Sequence, residues 1–271
     1  MKKFAVIGSP ISHSLSPSIH GLFGKLCGIE LSYEAIEVDR SSFTEKVMEL
    51  FKDGYDGINV TLPLKSLAYE VSDFPSNASV KSTSANVIWR QEGKIHSDNT
   101  DGEGLVSDLE EKELFIENKK LLMIGAGGSA ISILPSLIDR KPKEIKIINR
   151  TYSRAIELVE KFKREDVKLS AGNLLDPLSF EAEAIINTTS AGVLKEEISL
   201  PEGTFLNQGW TYDLSYSNSE TPFNSLARSH GIKKTHDGFG MLMQQAALSF
   251  EIWTGNKPDI KIARKLLISN S

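Results

Sequence analysis

Short apolar runs rich in Ile and Val recur along the chain, separated by longer segments whose apolar residues fall at helical spacing. The runs predict strands at Phe4–Ile7, Tyr33–Val38, Gly57–Val60, Leu121–Ile124, Glu144–Ile148, Ala184–Asn187 and Thr211–Leu214. The amphipathic segments predict helices over Pro17–Cys27, Phe43–Phe51, Ser129–Asp139 and Tyr152–Phe162. Strands alternating with helices imply βαβ units and parallel sheets, because a parallel neighbour needs a crossover that a helix supplies. Ser16-Pro17 reads as a capping hydroxyl before a proline in the first helical turn. Ser42 and Glu45 have capping-box spacing.

The pattern changes in the middle of the chain. Asn86–Arg90 and Lys94–Asp98 flank Gln91-Glu92-Gly93 and read as a hairpin. A charged helical stretch runs from Asp101 to Phe115, and Asn118-Lys119-Lys120 leads into the next apolar strand. One domain boundary is expected near residues 99–104. A second lies near Asp237-Gly238-Phe239-Gly240, ahead of a long apolar helix at Met241–Trp253. No internal repeat or low-complexity tract interrupts this.

Composition narrows the class. A length of 271 residues favours two domains over one. With 36 acidic and 31 basic side chains the net charge is −5, which argues against nucleic acid or an anionic membrane as partner. The N-terminal apolar run is too short for a signal peptide, and no run is long enough to span a membrane. The single cysteine, Cys27, excludes an internal disulfide and a Cys-only metal cluster. The five histidines lack metal-ligand spacing, so no metal is expected. The expectation is a cytoplasmic protein, monomer or homodimer, taking a small-molecule ligand.

Two groups of residues carry chemistry. The strand Leu121–Ile124 runs directly into Gly125-Ala126-Gly127-Gly128-Ser129-Ala130, a G-x-G-x-x-A turn with a strand before it and a helix after. Gly125 permits the tight turn, Gly127 lets the backbone approach a pyrophosphate, and Ala130 allows close helix–strand packing. The helix start offers N–H groups and a positive dipole end to phosphate. At the end of the next strand, where NAD enzymes carry an acidic residue, this chain has Asn149-Arg150-Thr151 and then Arg154. Two guanidinium groups there suit a 2′-phosphate and point to NADP.

The second group lies in the N-terminal half: His13-Ser14-Leu15-Ser16-Pro17, Asn59-Val60-Thr61-Leu62-Pro63-Leu64-Lys65, Ser84-Ala85-Asn86 and Asn99-Thr100-Asp101. In open parallel sheets ligands bind beyond the carboxyl ends of strands, where these segments converge. Hydroxyls, amides, one ammonium and one carboxylate suit a small polyhydroxylated acid. Taken singly, Ser16 reads equally as a helix cap, Thr61 as a strand end and Asn86 as a hairpin residue.

These strings, with Gly125-Ala126-Gly127-Gly128, Asn187-Thr188-Thr189, Tyr212-Asp213 and Asp237-Gly238-Phe239-Gly240-Met241-Leu242, run in order over nearly the whole chain. The set closely resembles the shikimate dehydrogenase family. The resemblance implies an α/β fold of two domains. One is an open, mostly parallel substrate-binding and catalytic domain made of residues 1–101 plus 238–271. The other is a Rossmann-type NADP-binding domain over 102–237, with the active site in the cleft. It implies reversible hydride transfer between NADPH and the C3 carbonyl of 3-dehydroshikimate, giving shikimate for aromatic amino acid biosynthesis.

Carried over residue by residue, Lys65 and Asp101 resemble the catalytic pair, and Ser14 and Ser16 the carboxylate-binding pair. Thr61, Asn86 and Gln245 resemble the hydroxyl-binding residues, with Asn59 and Tyr216 close by. Gln245 is preferred to Gln244 because it directly precedes Ala246-Ala247. Gly125, Ala126, Gly127, Gly128, Ser129 and Ala130 match the pyrophosphate turn, and Asn149, Arg150, Thr151 and Arg154 the 2′-phosphate clamp. Thr188, Thr189, Ser190, Ala191, Leu214 and Gly238 fall on the nicotinamide side, Leu214 standing where the family commonly has methionine. Lys65 serves either as proton donor to the alkoxide or as an electrostatic clamp, with Asp101 holding it. Gly102, Gly104, Gly238 and Gly240 read as hinges or as plain turns. Three alternatives stand beside this: a relative of broader specificity that oxidises quinate, one that prefers NAD, and a non-catalytic NADP- and metabolite-binding regulator.

Overall fold

The apolar runs become strands of two six-stranded sheets. The computed structural model describes residues 1–189, 199–206, 209–217 and 219–269. The chain forms two compact units, Met1–Gly104 with Leu242–Ser271, and Leu105–Met241.

The first unit contains β1 (Lys2–Gly8), α1 (Ser16–Cys27), β2 (Leu31–Glu37), α2 (Phe43–Lys52), β3 (Gly57–Val60), α3 (Lys65–Glu70), β4 (Phe74–Pro75), α4 (Asn77–Ser82), β5 (Val87–Gln91) and β6 (Lys94–Asp98). Its sheet order is β2-β1-β3-β5-β6-β4. Strands β2, β1 and β3 are parallel, and the β5–β6 hairpin enters antiparallel. Side chains alternate between faces, as the strand period requires. On one face Ile7, Ile58, Val60 and Ile88 pack with Val47, Leu50 and Phe51 of α2. On the other, Phe4 and Val87 pack with Trp253.

The second unit contains β7 (Lys120–Ile124), α6 (Gly128–Asp139), β8 (Glu144–Asn149), α7 (Tyr152–Lys161), β9 (Lys168–Asn173), β10 (Ala184–Asn187), β11 (Trp210–Asp213), α8 (Pro222–Ser229) and β12 (Lys234–His236). Its sheet is parallel throughout, in the order β12-β11-β10-β7-β8-β9. Numbered from β7, that is the 3-2-1-4-5-6 order of a Rossmann sheet, with the switch point beside β7. Leu121 and Met123 face one apolar layer while Leu122 and Ile124 face the other, so this strand reads as an unbroken apolar run. The chain passes from the first unit to the second within α5 (Asp101–Glu111) and returns within α9 (Phe239–Thr254), before α10 (Ile260–Ser269). Among the described residues no helix is long and apolar enough to cross a membrane.

Two capping expectations fail. Leu15, not Ser16, is the residue ahead of α1, and Ser16 lies buried inside the first turn without capping it. Ser42 closes a short 3-10 turn and donates its hydroxyl to the carbonyl of Asp39, so it does not cap α2.

His20, on α1, is fully buried. Its ring stacks on Tyr33 at 4.4 Å and meets Phe23 edge-on at 5.9 Å, and neither ring nitrogen has a hydrogen-bond partner among the described residues. Burial pushes its pKa down to about 3. Below the ordinary pKa of about 6.5 the unfolded chain takes a proton that the folded chain refuses. Stability is therefore expected to fall, by up to ~1.4 kcal/mol per pH unit, as pH drops from about 6.5 towards 3. Urea midpoints of wild type and His20→Phe from neutral pH downward check this. The variant should show the shallower decline, and equal slopes would refute the assignment.

Candidate active site

Because β5 runs antiparallel to β3 and to β6, the end of β3, the start of β5 and the end of β6 meet at one end of the sheet. Asn59, Thr61, Asn86, Thr100 and Asp101 are brought together there. Lys65 opens α3 and reaches Asp101, with Nζ 2.6 Å from Oδ2. Both side chains are largely buried, so each charge relies on the other in place of water. Asp101 also accepts from Asn86 Nδ2 at 3.0 Å, and its own N–H donates to Asn99 Oδ1 at 3.1 Å.

Helix α9 closes the cluster with a stripe at i, i+4 and i+8. Gln245 Oε1 accepts from Asn86 Nδ2 at 3.2 Å, Ser249 Oγ accepts from Asn59 Nδ2 at 3.0 Å, and Trp253 lies over Gly57, where any Cβ would strike its ring. Thr100 Oγ1 donates to the Gln245 carbonyl at 3.2 Å. Gln245 thus joins the network that its neighbour competed for in the sequence.

Counting donors separates the amides. Asn59 Nδ2 has two protons, and both are engaged, by the Asn86 carbonyl and by Ser249, each at 3.0 Å. Its Oδ1 accepts from the Tyr33 hydroxyl at 2.7 Å. Burial holds the Tyr33 phenol well above its ordinary pKa, so it remains a donor. Asn59 is therefore a fixed support for Asn86. Asn86 faces three acceptors with two protons: Thr100 Oγ1, Asp101 Oδ1 and Gln245 Oε1. An incoming hydroxyl can take the place of the longest of these contacts.

Ser14 and Ser16 stand together, with the Ser16 N–H, the first of α1, donating to Ser14 Oγ at 3.3 Å, while the Ser16 hydroxyl does not cap the helix. Thr61 follows β3 half-buried, its methyl group against Gly8. Tyr33 and Ser249 do not figure among the sequence candidates, and Thr100 figures there only within the string Asn99-Thr100-Asp101. The i+4 spacing of Ser249 from Gln245 was the available signal for one of them. Tyr216, half-buried, belongs to the second unit, after β11.

In the second unit β7 ends in Gly125 at φ +104°, a conformation suited to glycine, and a Cβ there would lie 2.6 Å from Thr188 Oγ1. Gly127 caps α6 without a side chain, in extended backbone, and a Cβ on it would meet nothing within 4 Å. Gly128 and Ser129 open the helix half-buried, and Ala130 is fully buried against the sheet. Ala126 N–H donates to Asn149 Oδ1 at 3.2 Å, and Asn149 Nδ2 donates to the Thr151 carbonyl at 2.9 Å. Asn149 thereby ties the glycine turn to the start of α7, where Arg150, Thr151 and Arg154 are exposed. Neither guanidinium is paired with a carboxylate among the described residues. An open helix N-terminus beside two exposed guanidinium groups fits a dinucleotide carrying a 2′-phosphate.

Thr188 is tied to the end of β7, its N–H and hydroxyl both donating to the Ile124 carbonyl. Leu214 N–H donates to the Asn187 carbonyl at 2.9 Å, and Gly238 packs directly on the Leu214 carbonyl. Ser190 and Ala191 lie outside the described residues. Gly104, Gly238 and Gly240 are points of close approach: Gly104 lies against Gln245 and Gly240 against Asp108. None of these three, nor Gly102, has a positive φ.

Residues 6–88 match the family described as shikimate dehydrogenase substrate binding domain, residues 108–197 that described as shikimate / quinate 5-dehydrogenase, and residues 238–268 the shikimate 5'-dehydrogenase C-terminal domain. The chain is 39% identical over 262 residues to a shikimate dehydrogenase (NADP(+)) of Legionella pneumophila strain Lens, covering 96% of each protein. It is similar in structure to shikimate 5-dehydrogenase from Thermus thermophilus, solved with NADP(H) and shikimate (TM-score 0.85, 31% identity, 98% of this chain and 99% of that one). It is also similar to shikimate 5-dehydrogenase from Listeria monocytogenes, solved with shikimate and NAD (TM-score 0.86, 27% identity, 98% and 96%).

Proposed function

The chain belongs to the shikimate dehydrogenase family, and from that premise we propose that it catalyses the reversible NADP-dependent reduction of 3-dehydroshikimate to shikimate. The observation that carries this reading is the buried Lys65–Asp101 pair, joined through Asn86 to Gln245. A pure binding protein has no need of an ammonium and a carboxylate held 2.6 Å apart. When bound, NADPH supplies the hydride. Lys65 meets the negative charge that develops on the C3 oxygen, as proton donor or as electrostatic partner. Asp101 holds Lys65 in register. Ser14 and Ser16 bind the substrate carboxylate, and Thr61, Asn86, Gln245 and Tyr216 its hydroxyls, with Asn59 supporting Asn86. These roles assign residues 1–101 and 238–271 mainly to substrate and 102–237 mainly to cofactor, with Tyr216 and Gly238 as the two that cross over.

In the cofactor half, Gly125–Ala130 and the α6 terminus receive the pyrophosphate. Arg150, Thr151 and Arg154 receive the 2′-phosphate, and Thr188, Thr189, Ser190, Leu214 and Gly238 flank the nicotinamide. The enzyme acts in the cytoplasm, as monomer or homodimer. Following cofactor absorbance with shikimate, quinate or no substrate, each with NADP or NAD, tests the reading. NADP reduction with shikimate, and slower or no reduction with quinate or with NAD, is the expected result. No reduction with shikimate refutes the activity, and faster reduction with NAD refutes the cofactor assignment.

A further inference from the structure

We propose that Asn187 and Asp213 act together as a positioning unit, fixing Thr189 and the Leu214–Ser215 turn for the nicotinamide half of the cofactor. The inference rests on reading the second unit as the cofactor-binding half.

The two residues end adjacent parallel strands in direct register, Asn187 on β10 opposite Asp213 on β11. Both are fully buried. Asn187 Nδ2 donates to Asp213 Oδ1 at 3.0 Å. Asn187 Oδ1 accepts twice from Thr189, from the backbone N–H at 3.2 Å and from the hydroxyl at 2.8 Å. Asp213 Oδ1 also accepts the Ser215 N–H at 3.1 Å. One carboxylate oxygen therefore terminates both strands: it holds the turn after β11 directly and the turn after β10 through Asn187.

Position 187 requires a side chain that donates on one side and accepts on the other, which an amide does and a carboxylate does not. Asp213 is placed at a cost, since no cation pairs with it among the described residues. Its surroundings are neutral: Asn187 on β10, Ser215 after β11, and Thr221 ahead of α8. Its Oδ2 has no hydrogen-bond partner among the described residues, although Thr221 lies beside it. Burial accordingly pushes this carboxyl above its ordinary range. A buried carboxylate oxygen held among neutral groups is a poor stabiliser of a fold. Its geometry is that of a clamp for the two turns flanking the nicotinamide-side residues Thr188, Thr189 and Leu214.

Asn187→Asp places two carboxyl groups in contact. With one proton between them the donor–acceptor pair survives; with both ionised they repel. NADP and shikimate dissociation constants, measured by calorimetry from about pH 5 to about pH 9, read this out. For Asn187→Asp, NADP affinity is expected near the wild-type value at the acid end and at least ~10-fold weaker at the alkaline end. Wild type should stay flat by comparison, and shikimate affinity should be unaffected. The swap Asn187→Asp with Asp213→Asn restores one donor and one acceptor between the two side chains but gives up the acceptor for the Ser215 N–H, so it should remove the pH dependence while leaving NADP affinity below the wild-type value. A pH-independent NADP affinity for Asn187→Asp, or parallel loss of NADP and shikimate binding, overturns the proposal. Wild type that binds shikimate but not NADP overturns the cofactor reading itself.

Discussion

Replacing Lys65 with alanine is expected to lower kcat by about 10²–10⁴-fold, the usual contribution of a positioned acid–base group. KM for NADP should change little, because Lys65 belongs to the first unit and the dinucleotide cradle to the second. The argument is geometric. Lys65 is the ammonium placed among the buried amides and hydroxyls, and Asp101, itself fixed by Asn86 and by the Asn99 side chain, aims it. Removing the ammonium also leaves Asp101 without its cation in a dry setting, so the loss includes disorder of that carboxylate. Lys65→Arg separates the two roles left open for this group. A guanidinium keeps the charge but does not release a proton in the working range. Substantial turnover in Lys65→Arg assigns Lys65 to electrostatic stabilisation, whereas loss in both variants across pH assigns it to proton transfer. Unchanged kcat with a higher KM for shikimate in both would remove Lys65 from the chemistry.

The second large effect concerns the cofactor. Arg150→Ala combined with Arg154→Ala is expected to raise KM for NADP by about 10²-fold and leave KM for NAD almost unchanged. A charge-assisted hydrogen bond contributes roughly 1.5–3 kcal/mol. These guanidinium groups are exposed, so the lower figure applies, and two such contacts give about 3 kcal/mol, or two decades. The same exposure makes the wild-type preference salt-dependent, since screening weakens it within a Debye length of about 8 Å at physiological ionic strength. Equal losses for both cofactors would show that the arginines support the fold of the β8–α7 turn and not the 2′-phosphate.

Much of this was legible in the sequence where one residue type answers one physical need. Gly125 carries the positive φ that its turn requires, and Leu121–Ile124 is buried on both faces because a parallel strand is covered on both. The unanticipated strands β4, β9 and β12 all lie at sheet edges. An edge strand packs on fewer neighbours, so its apolar pattern fades; β9 has no fully buried residue. The caps misled for a related reason. Ser16 and Ser42 have capping side chains at the right spacing, yet tertiary packing buries one and a 3-10 turn diverts the other. In the site, residue types announced candidates but not their bonding. Asn59 looked like a ligand group, and only the count of its partners, Tyr33, Asn86 and Ser249, shows that its protons are engaged. Ser249 was hidden because one small hydroxyl in an apolar helix reads as a neutral filler.

The path of the chain also sets an order of events during synthesis. Phe4 on β1 stacks at 4.7 Å on Trp253 of α9, so the first strand's face is not covered until residue 253 has been made. At typical rates of about 5–20 residues per second, the wait lasts on the order of 10–50 s. Over that time the nascent chain carries an open apolar sheet face on its early part, while the Rossmann unit, contiguous from Leu105 to Met241, is being made and is finished only shortly before Trp253. An apolar face left open for that long is the part of the nascent chain that a chaperone at the ribosome would have reason to hold.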